Sequence, residues 1–386
     1  MRRRLLEPAL CFALVFAVYV AATPTTNQSY KHFVHIARAF LVGRVDLVDL
    51  PAHYHDVIVI GERTYAPFPP APALLLLPAV AVAGAGTDQG RVGQGLAALA
   101  VAVLVSGLRR MGVPPAARWF AAAALAFGSV LWPATAIGTT WFFAQVVVVL
   151  SSAVLVWELA GPGRPLVVGA AIATAWLTRL NLLAATPLLA VLLWRRAGPR
   201  AGPRAVAVFG AVNAVALGVY LGYNVLRFGD PLQTGYGLLS MATVNAEAAA
   251  RYGFFNAHFI PEHLYTMLFR APEFIPTPPY LKPSPWGMAL LFTSPMMVRL
   301  LFPTAGRAGW APWAALAASL ALPLLAYFSI GWVQFGYRYS LDWWVYVVVL
   351  LALAVGNRPR AVDYALLAAG VGMNALGVYW VRVLGW

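Results

Sequence analysis

The sequence is poor in charge. Of its 386 residues only 10% are Asp, Glu, Lys or Arg, where an ordinary soluble domain carries roughly 25%. With 61% hydrophobic residues, that scarcity excludes a soluble enzyme and a disordered chain. Cysteine is almost missing: Cys11 stands alone inside the first apolar run, so no intrachain disulfide can staple the fold. Lysine is nearly missing too, with Lys31 and Lys282 beside 25 Arg. The 27 basic and 13 acidic residues leave a surplus of +14. A basic soluble module would suggest nucleic acid. Here the Arg residues come in twos and threes between apolar runs, which is the pattern of loops flanking membrane spans. The expected class is all-α, a polytopic membrane protein forming one integral-membrane domain over residues 1–386.

Met1-Arg-Arg-Arg followed by Pro8–Ala22 has the layout of a signal peptide, with Val20-Ala-Ala-Thr23 as its cleavage site. An uncleaved first span with a cytoplasmic N-terminus is the favoured alternative, because every later segment is also membrane-embedded.

Apolar runs cover residues 5–23, 73–86, 92–108, 119–136, 140–160, 165–178, 181–194, 206–226, 286–303, 310–330, 341–356 and 361–381. If all twelve crossed, Arg109, Arg110 and Arg118 would lie outside, and so would the cluster Arg195, Arg196, Arg200 and Arg204. That violates the positive-inside rule twice. The run 73–86 is short, holds Pro78 and follows Pro67-Phe-Pro-Pro-Ala-Pro72. Placed in the plane of the outer leaflet, it leaves about eleven spans with both clusters inside. The inner side then holds 14 Arg against Glu7, Glu158 and Asp363, while ten carboxylates face outward. Runs 165–178 and 181–194 joined as one helix would be about 45 Å long, too long for a ~30 Å hydrocarbon core. They are expected to form a hairpin with an outer tip at Thr178-Arg-Leu-Asn181.

Chemistry then has two long outer loops available. The first covers residues 24–86 with in-plane helices, and the second covers 227–285. A short third loop runs from Gly331 to Leu341. All six histidines (His32, His35, His53, His55, His258 and His263) lie in the two long loops. Ser29–Val42 alternates with helical period, with Phe33, Ile36, Ala37, Phe40 and Leu41 on one face, and reads as an amphipathic helix on the outer membrane surface. Residues 256–270, starting properly near Pro261, read similarly. His32 and His35 at i, i+3, followed by His53-x-His55, could supply ligands to a divalent metal, though not in a zinc signature. No other cofactor is implied.

Two arginines stand at membrane depth, where an ionisable group is costly and suggests function. Arg179 either snorkels to the outer headgroups or holds a lipid phosphate. Arg338, in Phe335-Gly-Tyr-Arg-Tyr-Ser-Leu-Asp342, either pairs with Asp342 at i, i+4 or likewise binds phosphate. There is no internal repeat and little charge at the midplane, which weighs against a transporter.

The order of segments resembles the GT-C superfamily of integral-membrane glycosyltransferases, such as protein O-mannosyltransferases and aminoarabinose transferases. The segments that carry it are Tyr30–Gly43, Gly61-Glu-Arg-Thr-Tyr-Ala-Pro-Phe-Pro-Pro70 and Thr178–Asn181, within residues 1–200. The resemblance implies transfer of a sugar from a polyprenyl-phosphate carrier, at the outer face of the cell membrane, with inversion at the sugar carbon. It also implies an acidic base just after the first span. This chain has Thr26-Asn27-Gln28-Ser29 there, and amides do not accept a proton near neutral pH. Asp46, Asp49 and Asp56 are the replacement bases, with Asp56 preferred for its place beside His55 and before the Gly61–Pro70 turn; His32 and His35 are reserves. Arg179 and Arg338 would take the donor phosphate, with Asn27, Gln28 and Lys31 binding substrate. The amides also support a second reading, a catalytically degenerate relative that binds lipid carriers or scaffolds envelope assembly.

Overall fold

A computed structural model describes residues 2–51, 54–239 and 243–383. The fold is helical. The N-terminal half contains α1 (Arg2–Ala22), α2 (His32–Leu41), α3 (Ala71–Ala83), α4 (Gln89–Arg110), α5 (Pro115–Ala126), α6 (Leu131–Ile137), α7 (Thr140–Leu159) and α8 (Pro165–Trp176). There follow α9 (Thr186–Phe228), α10 (Thr243–Tyr252), α11 (Ile260–Leu268), α12 (Leu290–Thr293), α13 (Ala311–Leu325), α14 (Trp344–Ala354) and α15 (Ala361–Val383). Strands are confined to two small antiparallel hairpins. One pairs β1 (Ile58–Ile60) with β2 (Arg63–Tyr65), and the other pairs β3 (Glu273–Phe274) with β4 (Leu281–Lys282).

Local signals explain the main boundaries. The Asp88 carboxylate accepts the Arg91 backbone N–H at 2.8 Å and caps α4, which ends on Arg109 and Arg110, where the helix dipole favours cations. Pro165 opens α8 at a position where its missing N–H costs nothing. The long α9 is interrupted at Gly198, whose φ of +75° and ψ of 175° lie outside any helix, in the middle of the arginine cluster. Among the described residues four helices are long and apolar enough to cross a membrane, or five when the bent pair α5 and α6 is taken as one span; five further apolar helices are shorter. The valine-rich α7 lies at the centre, packed between α4 and α8.

The predicted break between residues 178 and 181 is present: α8 stops at Trp176 and a short 3₁₀ segment over Leu180–Ala185 leads into α9. The ion pairs sort by side. All eight among the described residues join groups expected on the same side of the membrane. Glu7 meets Arg118, Glu158 meets Arg164 and Asp363 meets Arg299 in the inner set. At the opposite end the Arg382 guanidinium donates to the Thr25 carbonyl, so the C-terminal ends of α1 and α15 lie side by side.

One expectation is corrected. The helix predicted within Ser29–Val42 does not lie on a lipid surface by one face alone. It is α2, and His32, Val34 and His35 are buried together with Phe33, Ile36 and Ala37. Helix α3 and the start of α7 cover its apolar face, while the ring of Tyr54 sits against His32 and His35 on the other.

Candidate active site

The first residues of α7 bring two distant segments of the chain together. Trp141 donates its indole Nε1–H to the Asp56 carboxylate at 2.9 Å. The neighbouring Phe142 ring lies 5.2 Å from the Arg338 guanidinium carbon, and one turn later Gln145 donates to the Arg338 backbone carbonyl at 3.1 Å. Thus Asp56, from the segment between α2 and β1, and Arg338, from the segment between α13 and α14, are held by the same helix end.

Asp56 itself adopts φ +53°, a left-handed conformation that Asp tolerates better than most residues. Its carboxyl sits above the ordinary carboxylate range. Burial is the main cause, opposed by the Trp141 hydrogen bond and by the positive charges of His55 and Arg338. Tyr30, His32, Tyr54, His55 and Trp141 form a cluster of rings beside it, with centroids 4.5 to 6.3 Å apart.

Two guanidinium groups share one ring. Arg179 lies 5.1 Å and Arg338 5.3 Å from the centroid of Tyr339. They differ in what else they touch. Arg179 is bound to the fully buried Asp342 carboxylate, at 2.9 Å to Oδ1 and 3.0 Å to Oδ2, and Asn181 donates to Oδ2 at 2.9 Å. Arg338 makes no ion pair among the described residues, and its Nε is buried without a partner. The predicted i, i+4 pair of Arg338 with Asp342 is therefore replaced by one between Arg179 and Asp342. Residues 338–342 form a 3₁₀ turn; with three residues per turn, position i+4 points about 120° away from position i.

Space for Arg338 is made by Gly331. A Cβ there would stand 3.0 Å from Arg338 Nε and 3.0 Å from Gln334 Oε1, on a backbone with φ +88°. From the segment after α9, Tyr236 joins the group: burial raises its phenol to about 12, the Arg179 charge opposes this, and Tyr220 and Asp56 add to it.

A half-buried carboxylate held by the same helix end as a cation with no ion-pair partner among the described residues is an arrangement for moving a proton beside a bound anion. No family model matches this sequence, and no curated protein matches it. Two solved structures share its fold. One is ArnT from Cupriavidus metallidurans in the apo state, with 17% identity and a TM-score of 0.50 over 94% of this chain and 62% of that one. The other is the archaeal oligosaccharyltransferase AglB from Archaeoglobus fulgidus, in complex with an inhibitory peptide and a dolichol-phosphate. It matches with 11% identity and a TM-score of 0.51, over 96% of this chain and 55% of that one. The fold is that of these two structures. This chain spans less than two thirds of the length of either, and at these identities the likeness is one of fold.

Within that fold the remaining candidates divide clearly. Asp46 is buried and ion-paired with Arg44, which holds its carboxyl below the usual range. Asp49 is exposed and meets Arg38 at 3.0 Å. Neither is joined to the Asp56–Arg338 group by any hydrogen bond or ion pair among the described residues. Asn27, Gln28 and Lys31 form a separate network. Asn27 Oδ1 accepts the Ser29 N–H at 2.8 Å, and Gln28 Nε2 donates to the Thr26 hydroxyl at 2.6 Å. The Lys31 ammonium donates to the Ala85 carbonyl at 2.7 Å and to Gln28 at 3.2 Å.

One of the two reserve bases, His32, is spent in structure. His32 Nε2 donates to the His55 carbonyl at 2.7 Å, and its Nδ1 lies 2.9 Å from the Thr140 hydroxyl. Burial lowers its pKa to about 4, and it does the same for His35, where Arg38 and Lys31 add to the effect. His32 is thus a neutral strut that fixes the backbone next to Asp56. Among the described residues no three His, Cys, Asp or Glu side chains gather to hold a metal ion, and His53 lies outside those residues. Sequence reasoning missed Trp141, Tyr339 and Tyr236. An aromatic at the start of an apolar run carries no signal that separates it from ordinary core packing.

Proposed function

We propose that this chain is a glycosyltransferase that moves a sugar from a polyprenyl-phosphate carrier to an acceptor at the outer face of the cell membrane. In this reading it crosses the membrane about eleven times with its N-terminus in the cytoplasm, residues 24–86 and 227–285 being the outer loops. The separation of the ion pairs into two sets supports that arrangement. The observation that carries the function is the unspent Arg338 guanidinium, set across from Asp56 by one helix end and beside the neutralised Arg179.

The roles follow from charge. Asp56 takes the proton of the acceptor hydroxyl as that oxygen attacks the anomeric carbon. The bond from that carbon to the carrier phosphate breaks with inversion, and the electron pair leaves on the phosphate. The leaving group gains one negative charge, which Arg338 stabilises. Arg179 is held by Asp342, so it orients the Tyr339 ring and adds a weaker long-range field.

Transfer from a polyprenyl-phosphoryl sugar by the full chain in nanodiscs tests this. Asp56→Asn is expected to abolish transfer and Arg338→Ala to weaken it. Full transfer by both variants sinks the assignment. The Asn27-Gln28 pair supports the second reading, a carrier-binding protein without turnover. That reading holds if polyprenyl phosphate binds through Arg338 but no donor sugar is ever transferred.

A further inference from the structure

A second place on the molecule has unspent cationic and N–H groups beside apolar walls. Between the C-terminal ends of α1 and α15, over α6, runs an open groove of about 340 Å³. Its walls include Ala22 of α1 and Ala375, Val378 and Tyr379 of α15, with Trp132 and Arg382 as the polar members. The Arg382 guanidinium is anchored on one side, where NH1 donates to the Thr25 carbonyl at 3.0 Å and to the Thr25 hydroxyl at 2.7 Å. Its Nε is buried without a partner, and so is the Trp132 indole Nε1. No carboxylate among the described residues pairs with Arg382.

Buried donors without acceptors are few in folded proteins, and each needs an explanation. Here the Trp132 and Arg382 side chains both line one groove, and Arg382 has no carboxylate partner among the described residues, so the groove suits an acceptor. The neighbouring cation makes it an anion. The groove opens at the ends of two apolar helices, where a headgroup meets water and an acyl chain continues along Ala375 and Val378 towards the bilayer centre. None of these residues belongs to the Asp56–Arg338 group.

We propose that the α1–α15 groove is a binding site for an anionic glycerophospholipid of the surrounding bilayer, with its phosphate on Arg382 and Trp132. The site is independent of the glycosyltransferase reading. By fastening a lipid across the first and last helices, it couples the two ends of the bundle.

Native mass spectrometry of the full chain, released from nanodiscs of phosphatidylcholine and phosphatidylglycerol in equal parts, tests it. Phosphatidylglycerol is expected to remain bound in preference to phosphatidylcholine. Arg382→Gln should weaken that retention by about tenfold, the scale of one charge-assisted hydrogen bond, and Trp132→Phe by a smaller factor with the ring packing kept. Arg338→Gln should leave it unchanged. Equal retention of the two lipids, or undiminished phosphatidylglycerol in Arg382→Gln, overturns the proposal. Loss of the lipid in Arg338→Gln also overturns it, because the bound lipid then occupies the candidate active site. Displacement by added polyprenyl phosphate that depends on Arg382 would assign the groove to the carrier instead. Near-ultraviolet circular dichroism of each variant separates lost binding from lost folding.

Discussion

Trp141 and Asp56 are joined by a 2.9 Å hydrogen bond between residues 85 positions apart, and that bond fixes the only one of the three nominated carboxylates not spent on an arginine. Asp46 and Asp49 lean on Arg44 and Arg38. Asp56 instead faces rings on one side and the field of Arg338 on the other.

The first prediction separates the three. Asp56→Asn keeps the shape and a hydrogen-bond acceptor for Trp141 but removes the base, so transfer should fall by about 10²- to 10⁴-fold. Asp49→Asn, at an exposed pair worth little, should leave the rate within about twofold of the parent. Initial rates at saturating donor decide it, and an inactive Asp49→Asn with an active Asp56→Asn reverses the assignment.

The pH profile gives a second check, with a definite sign. A base works only when deprotonated, and burial raises the Asp56 carboxyl. The acidic limb of kcat/KM should therefore lie above that of an unperturbed Asp, whose pKa is about 3.9. Arg338 holds the shift back. Arg338→Gln should move the limb to still higher pH while it weakens transfer. A limb that stays put, or moves down, shows that Arg338 does not face the base.

Arg338 and Arg179 share a ring but should fail differently. Arg179→Gln strands the fully buried Asp342, and removing one partner of a buried pair costs about 3–5 kcal/mol. Its first effect should be on stability, and Asp342→Asn in the same chain should restore much of it. Arg338→Gln removes no internal partner, so thermal unfolding should change little while donor binding weakens. Gly331→Ala, whose Cβ has no room beside Arg338 Nε, should copy the Arg338 defect. Unfolding curves and donor KM for these variants distinguish the cases.

Much of this was readable from residue types. The cost of a cation at membrane depth singled out Arg179 and Arg338. Asp56 stood out by its place before the Gly61–Pro70 turn. What failed to show was pairing that depends on local geometry. Asp342 looked like the partner of Arg338 because helical spacing was assumed, and the 3₁₀ turn at 338–342 gave it to Arg179 instead. Helix α2 looked one-sided because its histidines are polar by type. Their burial depends on Tyr54 and on the His55 carbonyl, about twenty residues away, which no pattern within the helix reveals.

His32 yields the last prediction. Its pKa is about 4 in the folded chain, against about 6.5 for a free histidine. The unfolded segment thus binds a proton that the folded one refuses. The stability this provides is complete above pH 6.5 and is lost as pH falls from there towards 4, by up to ~3 kcal/mol for this one group. Because His32 Nε2 donates to the His55 carbonyl, loosening should begin in the segment that carries Asp56. Hydrogen exchange at pH 5 against pH 7, corrected for the intrinsic rate, should show protection lost in α2 and around residues 54–57 before α4 or α7. His32→Gln should remove the share of that pH dependence that belongs to His32 and leave the share of His35, which is lowered to about 4 as well. Uniform loss across the bundle, or an unchanged profile in His32→Gln, would place the acid-labile group elsewhere.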